Sequence, residues 1–526
     1  MPFLLDLTGR HRVTKALRVF RFTDFPGGFN TASGDDPADV HYQPRLKVDE
    51  VGSYRRTLFG RNRTNGVAEV DRGSLGLDNT DGGLDEMVDY AFDGYPLTLW
   101  SIATRAKPYA SKAVQTTATV EQIEVSWDGI SLRLRSRLAH LDVPIQPLTY
   151  DGTTVDGSKT NAEGTLELKG VPRLLLYGAP RNVPALLLNR WKLVFGVGHR
   201  LSAVIRVRDK GVIINPTGQD FPDLASLMAA NIQGGRYATC LALGLIRFGS
   251  GTVLQGQVTV DAVEGATAAL RTAGQVVRRI LIEQAGLVEG RDFLGSDIAA
   301  LDALAPYEVG YWPGTTPVNT LTVVSTILDS VRGWISPDRQ GVFRIGQFRA
   351  PIGNPKRTFG PIELVEDGGV GLQLLATGDE NNGVPTNKVI LQHTRNHAVV
   401  TEDALAGDAI VNDPDFVAFA KQEYRQAEAE NPATLDLHQL AKPMTFTTCL
   451  VSAAAAQAEA AERLALYGVS RRHYAGMVRS QFADVELSEE AGLMLKRFGL
   501  AAGKSFAVTG AYEDYSAGTT TYNLWG

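Results

Sequence analysis

Leu132, Leu134 and Leu138 alternate with Arg133, Arg135 and Arg137. A period of two predicts a strand with leucines facing inward and three arginines on the opposite face. Further along, two apolar, β-compatible runs at 237–248 and 252–261 flank Gly249-Ser250-Gly251. Glycine supplies the positive φ that tight strand connections need, so this stretch predicts a hairpin. Residues 334–346 read as strand–turn–strand with Pro337 and Gly341 in the turn, and 388–395 as another strand.

Helical spacing appears between these strands. It predicts helices over 82–90, capped by Asp81, and over 267–283, closing near Gly286. Further helices are expected over 317–331, stopped by Gly333, over 416–429, and over the Ala-rich run 451–467, which closes at Gly468. Residues 1–42 are polar and punctuated by Pro and Gly, and they read as an N-terminal arm and loop. Residues 151–164 and 366–383 have the composition of linkers.

These elements predict an α+β, β-rich multidomain chain. The expected division is an arm at 1–42, a β-barrel domain at 43–150, a β-rich middle domain at 151–265, a mixed α/β domain at 266–386, and a second barrel with helical insertions at 387–526. There is no exact sequence repeat. Residues 43–147 and 387–526 nevertheless share a plan of strands around helical insertions, which raises a structural duplication.

Composition agrees with this picture. A chain of 526 residues exceeds one ordinary core and suggests roughly three to five domains. Hydrophobic residues at 44% and charged residues at 21% describe a globular chain, and 54 glycines favour many turns and strands. A formal net charge of −6 argues against a dedicated nucleic-acid surface while leaving room for a local basic patch. The start, Met1-Pro-Phe-Leu-Leu-Asp, does not read as a signal peptide, and no apolar run approaches the ~20 residues of a membrane span. Cys240 and Cys449 are the only cysteines. Two such thiols do not make a four-cysteine zinc or iron–sulfur site, and they read as reduced core thiols.

The motifs that carry chemistry fail one by one. Gly499-Leu-Ala-Ala-Gly503-Lys504-Ser505 has three residues between its glycines where a P-loop has four, and a strand pattern follows it. His393 and His397 are four apart, but in a strand running into a turn and without the Glu of a metalloprotease helix. Asp78, Asp81, Asp85 and Glu86 lack the ligand order of an EF-hand and are explained by a turn and a helix cap. Gly-x-Ser-x-Gly and Gly-x-Gly-x-x-Gly do not occur in full. No catalytic set, metal site or cofactor is therefore expected.

Surfaces remain. The Arg133, Arg135 and Arg137 stripe is either a solvated outer face or an inter-subunit row of ion pairs. Trp525 either anchors an interface or caps its own domain. Residues 401–431 hold eight acids against two bases, a local net of −6, expected mostly on one helix face.

Several segments resemble the baseplate hub proteins of long-tailed, siphophage-like phages. They are Tyr54-Arg-Arg-Thr-Leu-Phe-Gly, Gly73-Ser-Leu-Gly-Leu-Asp-Asn-Thr-Asp-Gly-Gly-Leu-Asp, Tyr90-Ala-Phe-Asp-Gly and Trp127-Asp-Gly-Ile-Ser-Leu-Arg-Leu-Arg. Tyr177-Gly-Ala-Pro-Arg-Asn-Val-Pro, the 233–261 stretch, 333–351 and the closing Asn523-Leu-Trp-Gly continue the likeness. The resemblance implies a homotrimer in which each chain carries two tail-tube-like β-barrels, giving a pseudo-sixfold ring in the virion. It implies the distal tail protein, the tape measure protein and tail fibre or tip proteins as partners. DNA would pass only transiently through an acidic channel, without stable membrane insertion. No appended lysozyme or peptidase domain is recognisable. The alternatives are a tail-tip cell-wall hydrolase and a receptor- or carbohydrate-binding tail protein.

Overall fold

Phe3, Leu5 and Leu7 point into one core while Asp6 and Thr8 lie on the opposite face of the same strand, Phe3–His11. The computed structural model describes residues 2–60, 62–364 and 371–526. It is an α+β, β-rich, multidomain arrangement with two eight-stranded sheets.

The first large sheet runs in the order Leu17–Thr23, Phe3–His11, Pro96–Ser101, Ala113–Val125, Gly129–Arg135, Ser74–Asp78, Leu46–Val51, with Tyr90–Ala91 also on Phe3–His11. Its two edges are drawn together where Thr23 N donates to Gln43 O (2.8 Å) and Gln43 N to Arg21 O (2.9 Å). The sheet thus nearly closes into a barrel, which removes most of an exposed edge. Leu75, Leu77, Leu97, Leu99, Ile130, Leu132 and Leu134 fill its inside. Each buried leucine contributes about 2–3 kcal/mol.

This corrects the reading of residues 1–42 as arm and loop. Phe3–His11 and Leu17–Thr23 are paired strands of the barrel wall, and the alternation Phe20-Arg21-Phe22-Thr23 was their signal. The helix expected over 82–90 is a short 3-10 turn, Asp85–Asp89. Asp81 does not cap it, because that carboxylate is held by Arg45 (2.7 Å) and Gly83 N (2.9 Å); Asn79 Oδ1 accepts from Leu84 N instead.

The second large sheet has the order Arg357–Phe359, Glu490–Leu493, Lys504–Asp514, Thr519–Trp525, His473–Val478, Leu372–Leu375. Its eleven-residue strand Lys504–Asp514 is too long for one neighbour on its outer side. Glu490–Leu493 covers its first half, and Ser53–Thr57 covers the second. Ser53–Thr57 pairs with Glu69–Asp71 as a hairpin that leaves the first sheet at Gly52 and returns to it after Gly73. A Cβ at Gly52 would sit 2.2 Å from the Ser74 carbonyl oxygen, so the crossing needs glycine.

The expected contiguous barrel at 387–526 is therefore not what forms. The second sheet draws on 53–71, 357–375 and 473–525. Lys388–His393, Arg425–Glu430 and Met444–Thr447 make a separate three-stranded sheet covered by the helix Ala453–Tyr467. Hydrophobic period identifies a strand but not its partner. That sheet shares a core with the helices Ala273–Glu283, Gly295–Leu304 and Thr320–Asp329 and with the hairpin Gly333–Pro337/Phe343–Gln347. Three expected helices are recovered in shortened form, and Gly468 does follow the last one. Gly341 takes φ +80 in the Trp334 hairpin, where Pro337 ends a strand instead of entering the turn.

The helix expected over 416–429 is wrong at its C-terminal half. Pro414–Ala420 is helical, with Asp413 accepting from Phe416 N, whereas Arg425–Glu430 is a strand beside Lys388–His393. Its alternation of Ala427 and Ala429 with Gln426, Glu428 and Glu430 has period two.

The middle domain is a sandwich of two small sheets around Val183, Phe195, Val207, Ile246, Phe248 and Val260. Its hairpin departs from expectation. Tyr237–Cys240 pairs with Leu245–Phe248, and the turn runs through Leu241–Leu243 to Gly244 at φ +62. Gly249-Ser250-Gly251 instead leads to Val258–Val263 in the facing sheet. Residues 151–164 contain no helix or strand. Of the linker read at 366–383, residues 366–370 lie outside those described. Among the described residues no helix is long and apolar enough to cross a membrane.

Candidate functional site

The donated hairpin is locked by buried charge. Arg56, at 1% exposure, donates from Nη1 to Glu486 Oε2 (2.5 Å) and lies 3.8 Å from Glu513. Glu513 is fully buried. It accepts from Arg339 Nη2 (2.5 Å), from Ala483 N (3.0 Å) and from the Tyr515 hydroxyl (3.1 Å). Burial works to raise the Glu486 carboxyl, but Arg56 outweighs it and holds the group below its ordinary value. Tyr54 closes the seam toward the first barrel: its hydroxyl donates to Asp338 O (3.2 Å), and Arg72 stacks 4.5 Å from its ring centroid. Two sheets, a hairpin and the Trp334 turn thus meet in one ion-pair network, which sequence spacing could not reveal.

The residues expected at interfaces separate into two groups. Arg133 and Arg135 lie on the outer face of Gly129–Arg135, Arg133 paired with Glu121 across the hairpin (3.2 Å). Arg137 leaves that stripe. It sits in the following 3-10 turn and donates to Asp292 (2.8 Å), tying the barrel to the central core. Trp525 is only 4% exposed, 5.0 Å from the Phe348 ring, with Arg471 over it at 4.9 Å. It packs within the core of the second large sheet.

The most exposed aromatic among the described residues is Trp127, 95% exposed in the turn joining Ala113–Val125 to Gly129–Arg135. Residues 121, 122 and 124–128 are exposed around it, so the hairpin tip stands clear of the barrel. Tryptophan is costly to hydrate and is enriched where partners bury it. The other outward element is the strand Leu372–Leu375, which ends the second sheet with Leu374 exposed. Among the described residues its outer backbone edge pairs with no strand, and such an edge is a template for another strand.

The residues tested for chemistry are each held in structural roles. His397 packs edge-to-face on Trp312 (5.3 Å), and burial pushes its pKa down to about 3; His393 bonds Thr394 Oγ1 (2.8 Å). Arg18 pairs with Glu86 (2.8 Å) and Asn79 with Asp85 (2.9 Å), so the acidic turn is internally satisfied. Lys504 opens a strand, as expected of a false P-loop. An apolar cavity of about 330 Å³ lined by Leu174, Leu188 and Leu245 contains the Glu163–Arg173 pair (2.7 Å) and His199, whose pKa burial lowers to about 4. Burial raises Cys449 to about 11, an unreactive thiol.

The acids of 401–431 are largely neutralised within the chain. Glu402 pairs with Lys421 (2.7 Å), Glu423 with Arg395 (3.1 Å), and Glu428 with Lys388 (2.6 Å). They are divided between helices and a strand and do not form one acidic helix face.

No family model matches the chain, and no curated protein sequence matches it. Among solved structures it is similar to the tail protein from Neisseria meningitidis MC58, at 8% identity and a TM-score of 0.38 over 99% of this chain and 96% of that one. It is similar to prophage tail protein gp18 from Listeria monocytogenes EGD-e, at 7% identity and 0.39 over 100% and 94%. The 43 kDa tail protein of prophage MuSo2 from Shewanella oneidensis gives 7% identity and 0.39 over 100% and 96%. At TM-scores below 0.5, function has to be argued from the chain's own surfaces.

Proposed function

We propose that the chain is a structural, non-enzymatic component of a phage-type tail: a baseplate hub. Three copies form a ring that closes or extends the tail tube and leaves a channel for tape measure and DNA. The observation that carries this reading is the pair of eight-stranded sheets fused by a donated hairpin within one chain. Two such units per chain give six wall segments in a trimer, the number a sixfold tube requires. Support also comes from what faces out. The Trp127 tip and the Leu372–Leu375 edge are suited to protein contacts, and the side chains tested for catalysis are engaged in packing and ion pairs.

The distal tail protein, the tape measure and tip or fibre proteins are the partners this role requires. The test is a mass measurement with an image of the oligomer. A species of about three times 56.8 kDa with a central hole is expected; a monomer that cleaves peptidoglycan would overturn the reading.

A further inference from the structure

Where the middle sandwich meets the helix Pro414–Ala420, arginines outnumber carboxylates. Arg206 and Arg208 are two apart on Ala203–Asp209, so their side chains leave the same face, and Arg206 stands opposite Asp261 across the ladder. Arg181 approaches from the chain entering Val183–Pro184, and Arg425 from the first position of Arg425–Glu430. Both guanidinium groups lie over one ring, Phe419, at 5.2 and 5.1 Å from its centroid. Arg208 is 4.0 Å from the neighbouring Phe416 ring.

The counter-ions are already committed. Asp261 accepts from Arg208 Nη1 (2.9 Å) and from Asn182 N (2.8 Å), which leaves Arg181 at 4.0 Å. Asp413 caps its helix and stands 3.8 Å from Arg208. Arg395 is paired with Glu423. Among the described residues, Arg206 and Arg425 have no carboxylate within 4.0 Å. Arg208 is 1% exposed, yet its Nε and Nη2 have no hydrogen-bond partner. Burial, followed by repulsion from Arg425, Arg208 and Arg206 against the pull of Asp261, holds Arg181 below the ordinary arginine range.

We propose that Arg181, Arg206 and Arg425, with Arg208 buried behind them, form a docking site for an acidic segment of a partner protein, whose carboxylates supply the missing counter-ions. Guanidinium groups fixed on aromatic faces are preorganised for carboxylate forks. The chain's net charge of −6 repels a long polyanion but costs a short acidic segment little. The site does not depend on the tail reading, since an acidic partner would be recognised in any assembly.

The test is fluorescence anisotropy of a labelled hexaglutamate peptide against the full chain at low ionic strength. The Arg181→Gln/Arg425→Gln double variant should weaken binding about tenfold, whereas Arg190→Gln, an exposed arginine elsewhere on the sandwich, should leave it unchanged. If the double variant does not fold, Arg206→Gln alone, on an exposed and unpaired side chain, should still weaken binding about threefold. Absence of peptide binding by the unaltered chain would overturn the proposal. Equal affinity in the variants, or tighter binding of a single-stranded DNA oligonucleotide than of the peptide, would do the same.

Discussion

The two large sheets have equal strand counts but opposite economies of assembly. The first draws all its strands from residues 3–135, and its core is chiefly apolar, with Gln115 and Ser101 buried as a neutral hydrogen-bonded pair. The second gathers segments separated by hundreds of residues and places Arg56, Arg339 and Glu513 at the join. A local sheet can be held by packing alone. A sheet completed by a distant hairpin also uses directional, buried charge, which tolerates one register and disfavours others.

Removing the central acid should break the second sheet and spare the first. Glu513→Ala removes the carboxylate of Arg339 and leaves Arg56 with Glu486 alone, and a loss of about 3–5 kcal/mol is expected, read by urea unfolding with hydrogen exchange to locate it. Uniform loss of protection across Phe3–His11 as well would show that the sheets are one cooperative unit.

Acid should separate them next. His473 in the second sheet is buried and its pKa is lowered by burial to about 4. Below the ordinary value of 6.5 the unfolded chain takes up a proton that the folded chain refuses. Stability is therefore full above pH 6.5 and falls between pH 6.5 and about 4, by up to about 3 kcal/mol, then levels. His473→Gln should reduce that slope in a pH series of melting curves, leaving the shares of His199 and His397.

The crossing offers a smaller lever. Gly52→Ala drives a Cβ into the Ser74 carbonyl and should cost about 1–3 kcal/mol, loosening Ser53–Thr57 from Lys504–Asp514 in exchange measurements. The smallest effect is expected on the outer face of the first sheet. Arg133→Gln removes only an exposed pair with Glu121 and should change stability by less than about 0.5 kcal/mol in the same urea titration.

The same contrast explains what could be read from the residues alone. Leu132 and Leu134 inside with Arg133 and Arg135 outside, the helix Ala453–Tyr467, and the Trp334 hairpin all follow from local period and turn chemistry. The partner of Ser53–Thr57 does not, because pairing across such distance leaves no local trace. Arg137 continued an alternation on paper but follows a backbone change at Ser136, whose hydroxyl caps the 3-10 turn. Trp525 breaks the alternation that buries Tyr522 and Leu524, and it is buried as well because Phe348 packs against it, a neighbour that local period does not show. Trp127 begins a Trp-Asp-Gly turn, and only the length of the flanking strands reveals how far it projects.

The hairpin that joins the sheets also sets a timetable. Arg56 and its partner Glu486 are 430 residues apart in the chain. At 5–20 residues per second, a ribosome leaves Ser53–Thr57 waiting on the order of 20–90 s for the strand it must complete. Once residue 135 has been made, the nascent chain carries every strand of the first barrel together with one open strand edge and the apolar Leu58 and Phe59 beside it. Newly made copies on one polysome are thus most prone to pair with one another during synthesis, before the far end of each chain has been translated.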